Sequence, residues 1–305
     1  MKSERGFALV ITLLIAALLV ALTVEFVNEV FVDTSARQNF TDGQQASIMA
    51  GSGVDLAIKG LKLSLSGRTY NSLADPWAKP FKQEDEKGTL SVIIEDESGK
   101  LNINQIFGAN GNILYQRNYD ITSRLLKKLG VSPDLLDSLA DWVDNNEEPH
   151  PAGAESSYYN TLKPPYDAKN ANLDTVEELA LVKGFETKVM QLLRPYVTIY
   201  TEMPGAININ TASREIIAAL DDKMTDSLTN QVLDYRKNTP FQIPADLAKV
   251  AGMETIATGL MTSTTTMGTV YRIISLATVK ETTRIVEAVV RVIGQQSTVL
   301  YWREF

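Results

Sequence analysis

From Phe7 to Val24 the chain carries no charged residue. Eighteen residues of helix span about 27 Å, close to the roughly 30 Å hydrocarbon core of a bilayer. A soluble core helix of that length carries a polar stripe, whereas only Thr12 and Thr23 interrupt this run. Lys2 and Arg5 precede it, so the positive-inside rule keeps the N-terminus cytoplasmic and sends the remainder outside. A cleaved secretory signal is the alternative, but no small-x-small site with a polar start follows Val24. The sequence instead continues as "EFVNEVFVD", which still reads as helix. Further on, Ala50, Val54, Ala57, Ile58 and Leu61 share one helical face. The expectation is one long helix that starts in a membrane and ends near residue 65, packed on a folded domain.

The rest of the 305 residues can supply that domain. Composition is 44% hydrophobic and 22% charged, ordinary for a globular chain. The formal net charge of −8 opposes non-specific binding to nucleic acid. The absence of cysteine excludes disulfides, thiolate metal sites and cysteine nucleophiles, and a single histidine, His150, leaves no Ser-His-Asp triad. A membrane-anchored hydrolase would therefore depend on a carboxylate pair.

Residues 67–86 are rich in turn formers and read as an irregular link. "TLSVIIED" (89–96), "VYRIISLATV" (270–279), "TRIVEAVVRVI" (283–293) and "STVLYWREF" (297–305) read as strands, the last two joined at Gly294. Between them lies a long, mainly helical stretch. The expected class is α+β: a long N-terminal helix on an antiparallel sheet, with a large helical insertion. The expected segments are a leader (1–6), the N-terminal helix (7–66, membrane part 7–24), an α+β domain (67–100 and 264–305), a first helical insertion (101–200) and a second helical subdomain (201–263).

The insertion echoes itself. "KLNINQIF" (100–107) resembles "AININTAS" (206–213), and "NLDTVEELALVKGF" (172–185) resembles "FQIPADLAKVAGM" (241–253). Asn210 and Thr211, and Asp174 and Thr175, are candidate N-caps, with Glu178 completing a capping box on Thr175. The pattern also resembles helix-hairpin-helix DNA-binding modules. However, "LDDKMTDSLTN" (220–230) lacks the glycine hairpin, and Asp221, Asp222 and Asp226 would repel phosphate.

The densest chemistry is "DSLADWVDNNEEPHPAGAESSYYNTLKPPY" (137–166). Leu135, Leu136, Leu139, Trp142 and Val143 form a helical apolar face, and the helix must stop near Pro149. Asp144, Asn146, Glu147, Glu148 and Glu155 come next as oxygen donors. A tight loop can turn Asp144 and Asn146 toward one centre, as calcium requires, although EF-hand spacing is absent. A solvated acidic loop is the other reading of the same residues.

Two resemblances bear on these alternatives. The charged stretch from Met1 to Arg5, then Gly6, Phe7 and the apolar run, resembles the type IV pilin-like class. The resemblance implies cleavage by a prepilin peptidase between Gly6 and Phe7, with methylation of the new amino group. That class usually has glutamate at the fifth mature position, to neutralise a neighbouring subunit's N-terminal ammonium, and this chain has Ile11 there. The acidic stretch resembles the type II secretion minor pseudopilin K family, at Asp141, Trp142, Asp144, Pro149, Gly153, Ala154, Glu155, Tyr158 and Tyr159. It departs at Asn146, where aspartate is usual.

The second resemblance implies a non-enzymatic subunit of the pseudopilus tip. Its partners would be the minor pseudopilins I and J, the major pseudopilin and prepilin peptidase, with secreted cargo as a further contact and no nucleic acid. The place would be the bacterial inner membrane, with the bulk of the chain periplasmic. The resemblance also implies structural calcium on Asp144, Asn146 and Glu155, with Asp141 as an orienting or secondary ligand and His150 on the loop surface. A subunit of a related type IV pilus or competence machine differs mainly in partners. A membrane-anchored DNA receptor is the remaining alternative.

Overall fold

The computed structural model describes residues 3–202 and 205–305, with side chains from Phe7 onward. Met1 and Lys2 of the expected leader lie outside the described residues, as do the side chains of residues 3–6. The helices are α1 (Ser3–Leu65), α2 (Gln116–Lys128), α3 (Leu135–Val143), α4 (Ser156–Tyr159), α5 (Thr187–Leu193), α6 (Arg214–Ala219), α7 (Asp226–Asn238) and α8 (Glu254–Leu260). The strands are β1 (Phe81–Asp85), β2 (Gly88–Asp96), β3 (Leu101–Asn102), β4 (Val197–Thr198), β5 (Ile207–Asn208), β6 (Thr264–Thr265), β7 (Val270–Val279), β8 (Thr282–Ile293) and β9 (Gln296–Glu304).

α1 is one continuous helix of 63 residues, about 95 Å long. No proline occurs in it, and the two threonines of the apolar run return their hydroxyls to the helix. Thr12 Oγ1 donates to the carbonyls of Ala8 and Leu9, and Thr23 Oγ1 to Leu19. No side-chain donor of that run is left facing the surroundings, as a lipid environment demands. The large apolar residues from Phe7 to Val32 are exposed, and none of the described residues covers them.

From Ala46 onward the helix changes role. Ala46, Ala50, Val54, Ala57, Leu61 and Leu65 are buried, and all but Ala46 pack into one core with Leu90, Val92, Tyr271, Ile273, Val286 and Val290. The sheet beneath is antiparallel, in the order β1-β2-β7-β8-β9. Alternating burial along β7 shows which face the helix covers. Gly53 lets the two layers approach, since a Cβ there would lie 2.2 Å from Ser275 Oγ and 3.0 Å from Leu90 Cδ1. The arrangement is the α+β one expected from the sequence, with one local correction. The link contains strand β1, whose five residues are all exposed on the sheet edge, so no buried apolar face signals it. The β8–β9 turn pivots on Gly294 as expected, at φ 58°.

The insertion leaves the sheet at the end of β2 and returns at the start of β7, which are hydrogen-bonded neighbours. It holds two cores. One contains Ile103, Ile106, Leu136, Leu139, Trp142, Tyr159, Leu179 and Val197. The other contains Ile207, Ile209, Ile216, Val232, Phe241, Leu247 and Leu260. α2 serves both, with Leu126 in the first and Ile121 and Leu125 in the second. A parallel pair closes each half, β3 with β4 and β5 with β6.

A buried polar network joins the insertion to the sheet. Asp96 accepts from Ser98 N–H (2.8 Å), Asn208 Nδ2 (2.7 Å) and Thr211 Oγ1 (2.8 Å). Burial pushes the Asp96 carboxyl above its ordinary range, against the pull of those bonds. Glu97 is buried beside it. Burial alone would raise its carboxyl, but Lys100 (2.7 Å) and Arg272 (2.8 Å) hold it below the usual range.

Two expected caps fall elsewhere. Ser213, not Asn210 or Thr211, caps α6 by accepting from Ile216 N–H, because Asn210 and Thr211 are drawn into tertiary bonds. Thr175 makes no side-chain cap bond, while Glu178 accepts from Asp174 N–H (2.9 Å), Trp142 Nε1 (3.0 Å) and Lys169 Nζ (2.6 Å).

Candidate metal centre in the acidic loop

α3 ends at Val143, several residues before Pro149, and Asp144 is its C-cap in an extended conformation. The apolar face of α3 sets the direction of its carboxylates. Leu136, Leu139, Trp142 and Val143 are buried, so Asp141 and Asp144 on the adjoining face are carried inward, and both are fully buried. Trp142 is anchored by edge-on packing against Tyr159 and Tyr166 and by its bond to Glu178.

The loop from residue 145 then folds back over these carboxylates. Asn145 N–H donates to Ala109 O (2.9 Å), bringing the 108–111 turn against Asp144. Gly111, at φ 73°, leaves room for Asp144 Oδ2, which would lie 2.3 Å from a Cβ there. Gly153 does the same for Asp141, whose Oδ2 would lie 1.9 Å from an added Cβ. Ala152 N–H donates to Asp137 Oδ2 (3.1 Å), and Lys183 Nζ reaches the carbonyls of Ala152 and Gly153. These bonds set Glu155 inside the fold, 2% exposed.

Charge in this pocket is poorly compensated. Asp141, Asp144 and His150 each bring one ligand atom within 4.8 Å of one another. Asp141 is engaged by His150, through the backbone N–H (3.1 Å) and a short bond to Nδ1. One oxygen of Asp144 accepts from Asn146 N–H (3.0 Å). Its Oδ2 and both oxygens of Glu155 are buried with no hydrogen-bond partner among the described residues. Buried carboxylate oxygens without partners are costly and rare. Burial, then Asp141, Asp144 and Glu147, push the Glu155 carboxyl up to about 7. Burial, reinforced by Asp141, also raises Asp144.

The residues singled out from sequence thus divide. Asp141, Asp144 and Glu155 enter the buried acidic pocket. Asn146 is exposed, and its Oδ1 accepts from Glu148 N–H (2.7 Å). His150, expected on the loop surface, keeps 37% of its side chain exposed there and is turned onto Asp141. Gly111 and Ala109 carry no sequence signal for this site. They arrive from a segment some thirty residues earlier, and no local spacing announces them. At the other end of the molecule, Phe7 is exposed, Ile11 is 39% exposed, and Gly6 lies within the backbone of α1.

Two family models, both described as type II secretion system (T2SS), protein K, match residues 99–202 and 207–266. The chain is 30% identical over 268 residues to the type II secretion system protein K of Pseudomonas aeruginosa, spanning 81% of this chain and 77% of that protein. It is 27% identical over 283 residues to the protein K of Aeromonas hydrophila (84% and 85%) and 31% over 230 residues to that of Klebsiella pneumoniae (71% and 69%). Among solved structures it is similar to a chain in the crystal structure of the GspK-GspI-GspJ complex from the enterotoxigenic Escherichia coli type 2 secretion system. There the TM-score is 0.71 at 24% identity, over 90% of this chain and 99% of that one.

Proposed function

The chain belongs to the type II secretion system protein K family, and from that premise we propose that it is a minor pseudopilin, a structural subunit at the tip of the pseudopilus. The observation that carries this reading is the bare apolar half of α1. Its exposed residues from Phe7 to Val32 suit lipid first and the helices of neighbouring subunits afterwards. Gly6 and Phe7 mark the processing site, the N-terminus is cytoplasmic, and the folded part is periplasmic. The partners are the minor pseudopilins I and J, in keeping with the complex that holds the similar chain.

Ile11 argues for the tip. In a filament, each new N-terminal ammonium needs a carboxylate from the adjoining subunit, because a buried unpaired charge is strongly destabilising. Isoleucine supplies none, so this subunit belongs where nothing lies above it. Its large insertion would crowd a helical lattice and is free of that constraint at an end. Ile11→Glu is expected to let the subunit enter the filament body or to disturb initiation, read by pseudopilus length and by secretion. Unaltered filaments and secretion would count against the placement.

The acidic pocket fits structural calcium. Its donors are hard oxygens, and three of them are buried without partners, the condition a cation relieves. Asp144 and Glu155 would hold the ion, with Asp141 orienting His150, and Asn146 would join them only by turning its Oδ1 from Glu148 N–H into the pocket. The ion would neutralise the cluster and tie the loop to α3, a contribution coupled to folding. A chelator is expected to lower the melting temperature of the protein, and elemental analysis to find calcium. An unchanged melting curve with no bound calcium would overturn the assignment.

A further inference from the structure

The two halves of the insertion match in backbone detail, not only in wording. In the first half, Asn104 Oδ1 accepts from Leu173 N–H (2.9 Å) while its Nδ2 donates to Leu173 O (2.9 Å). In the second, Asn210 Oδ1 accepts from Phe241 N–H (2.9 Å) while its Nδ2 donates to Phe241 O (2.8 Å). Each clamp is preceded by the same turn. Asn102 Oδ1 accepts from Asn104 N–H, and Asn208 Oδ1 from Asn210 N–H, both at 3.0 Å.

The match continues beyond the clamp. Glu178 and Asp246 each accept from the N–H four residues earlier, Asp174 and Gln242, at 2.9 Å. Each then sits in a 3₁₀ turn, Val176–Leu181 or Pro244–Lys249. A glycine with positive φ comes after it, Gly184 at 84° and Gly252 at 86°. A seven-residue helix is next, α5 or α8, and then the strand that closes the half by parallel pairing.

The halves differ in what lies inside the clamp. Asn104 and Leu173 are 69 positions apart, Asn210 and Phe241 only 31. Most of the surplus falls after the second helix. α7 ends at Asn238, just before Phe241, whereas α3 ends at Val143 and the acidic loop fills the way to Leu173. The two halves share one plan, and the acidic loop lies inside the clamp of the first alone; we propose that Asn104 is the positioning residue that pins the exit of that loop. Asn210 makes the same two bonds where there is no loop to pin. The polar carboxamide is required because one side chain must both accept from an N–H and donate to a C=O.

The matched asparagines provide each other's control. In the full chain in detergent micelles, Asn104→Ala is expected to speed amide exchange of residues 145–172 at least tenfold, and Asn210→Ala to leave those amides unchanged. Where the cation reading of the loop holds, on which this part alone rests, Asn104→Ala also weakens calcium binding about tenfold and Asn210→Ala does not. Equal loosening of the loop by both variants, or by neither, overturns the proposal. Should Asn104→Ala fail to fold, Asn104→Asp against Asn210→Asp gives the same comparison, since aspartate keeps the acceptor and loses the donor. Wild-type protein without calcium affinity overturns the cation reading only and leaves the exchange comparison to judge the clamp.

Discussion

Gly153 has no room for a methyl group. An added Cβ would meet Asp141 Oδ2 at 1.9 Å, its Cγ at 2.6 Å and Asp137 O at 3.0 Å, and the carboxylate is fully buried with nowhere to retreat. Gly153→Ala is therefore expected to cost about 1–3 kcal/mol and to displace the loop that carries Glu155, seen as a lower melting temperature and loss of bound calcium. Glu155 gives a pH signature. Its folded carboxyl lies at about 7, above the unfolded value near 4.3, so folding favours its protonated form. The metal-free protein should lose stability as pH rises from about 4 to 7, by on the order of 3 kcal/mol, and change little above that. Thermal melts in chelator across this range should show the decline. Glu155→Gln should shrink it to what the raised Asp144 carboxyl contributes, and calcium should abolish or reverse it. Asp141, Asp144 and Glu155 were singled out by the resemblance of the acidic stretch to the protein K family, while local spacing alone left a solvated acidic loop equally open. The depth of their burial could not be read from the sequence, because Ala109 and Gly111, which close over Asp144, come from another segment.

The junction of α1 with the sheet depends on Gly53. Gly53→Val should separate the helix from β2 and β7, since even a Cβ would lie 2.2 Å from Ser275 Oγ. The expected cost is roughly 2–3 kcal/mol, read as a melting shift of several degrees. Gly51→Ala, where nothing stands within 4 Å, is expected to be neutral or slightly stabilising because alanine favours helix. Periodicity made the second half of α1 and strand β7 legible, since each buries one face, whereas β9, which buries none of its residues, was legible from its β-branched and aromatic composition. β1 escaped because every residue of it is exposed, so it offers backbone pairing without a pattern. The echo in the insertion was legible as well, but its meaning was not. Asn210 reads as a helix cap from its neighbours and becomes a clamp on Phe241 only when the chain returns to it.

At the scale of the whole molecule, the adjacency of β2 and β7 has a consequence for the order of events. Asp96 pairs with Tyr271, and the whole insertion lies between them. Closing a loop of that length before anything inside it is formed carries a large entropic penalty, and sheets built from distant contacts form slowly. The insertion can remove that obstacle by folding first. Its inner pairings, β3 with β4 and β5 with β6, are closer in sequence, and once made they hold the two ends side by side. During refolding, amides of Asn104, Leu173, Asn210 and Phe241 should become protected before those of Ile273 and Ile274 in pulsed exchange. Simultaneous protection would refute this order. The appendage would then be the scaffold on which the sheet completes itself: β7 and β8 can form their hairpin alone, but β7 could not find β2 until the insertion had drawn the two ends of the chain together.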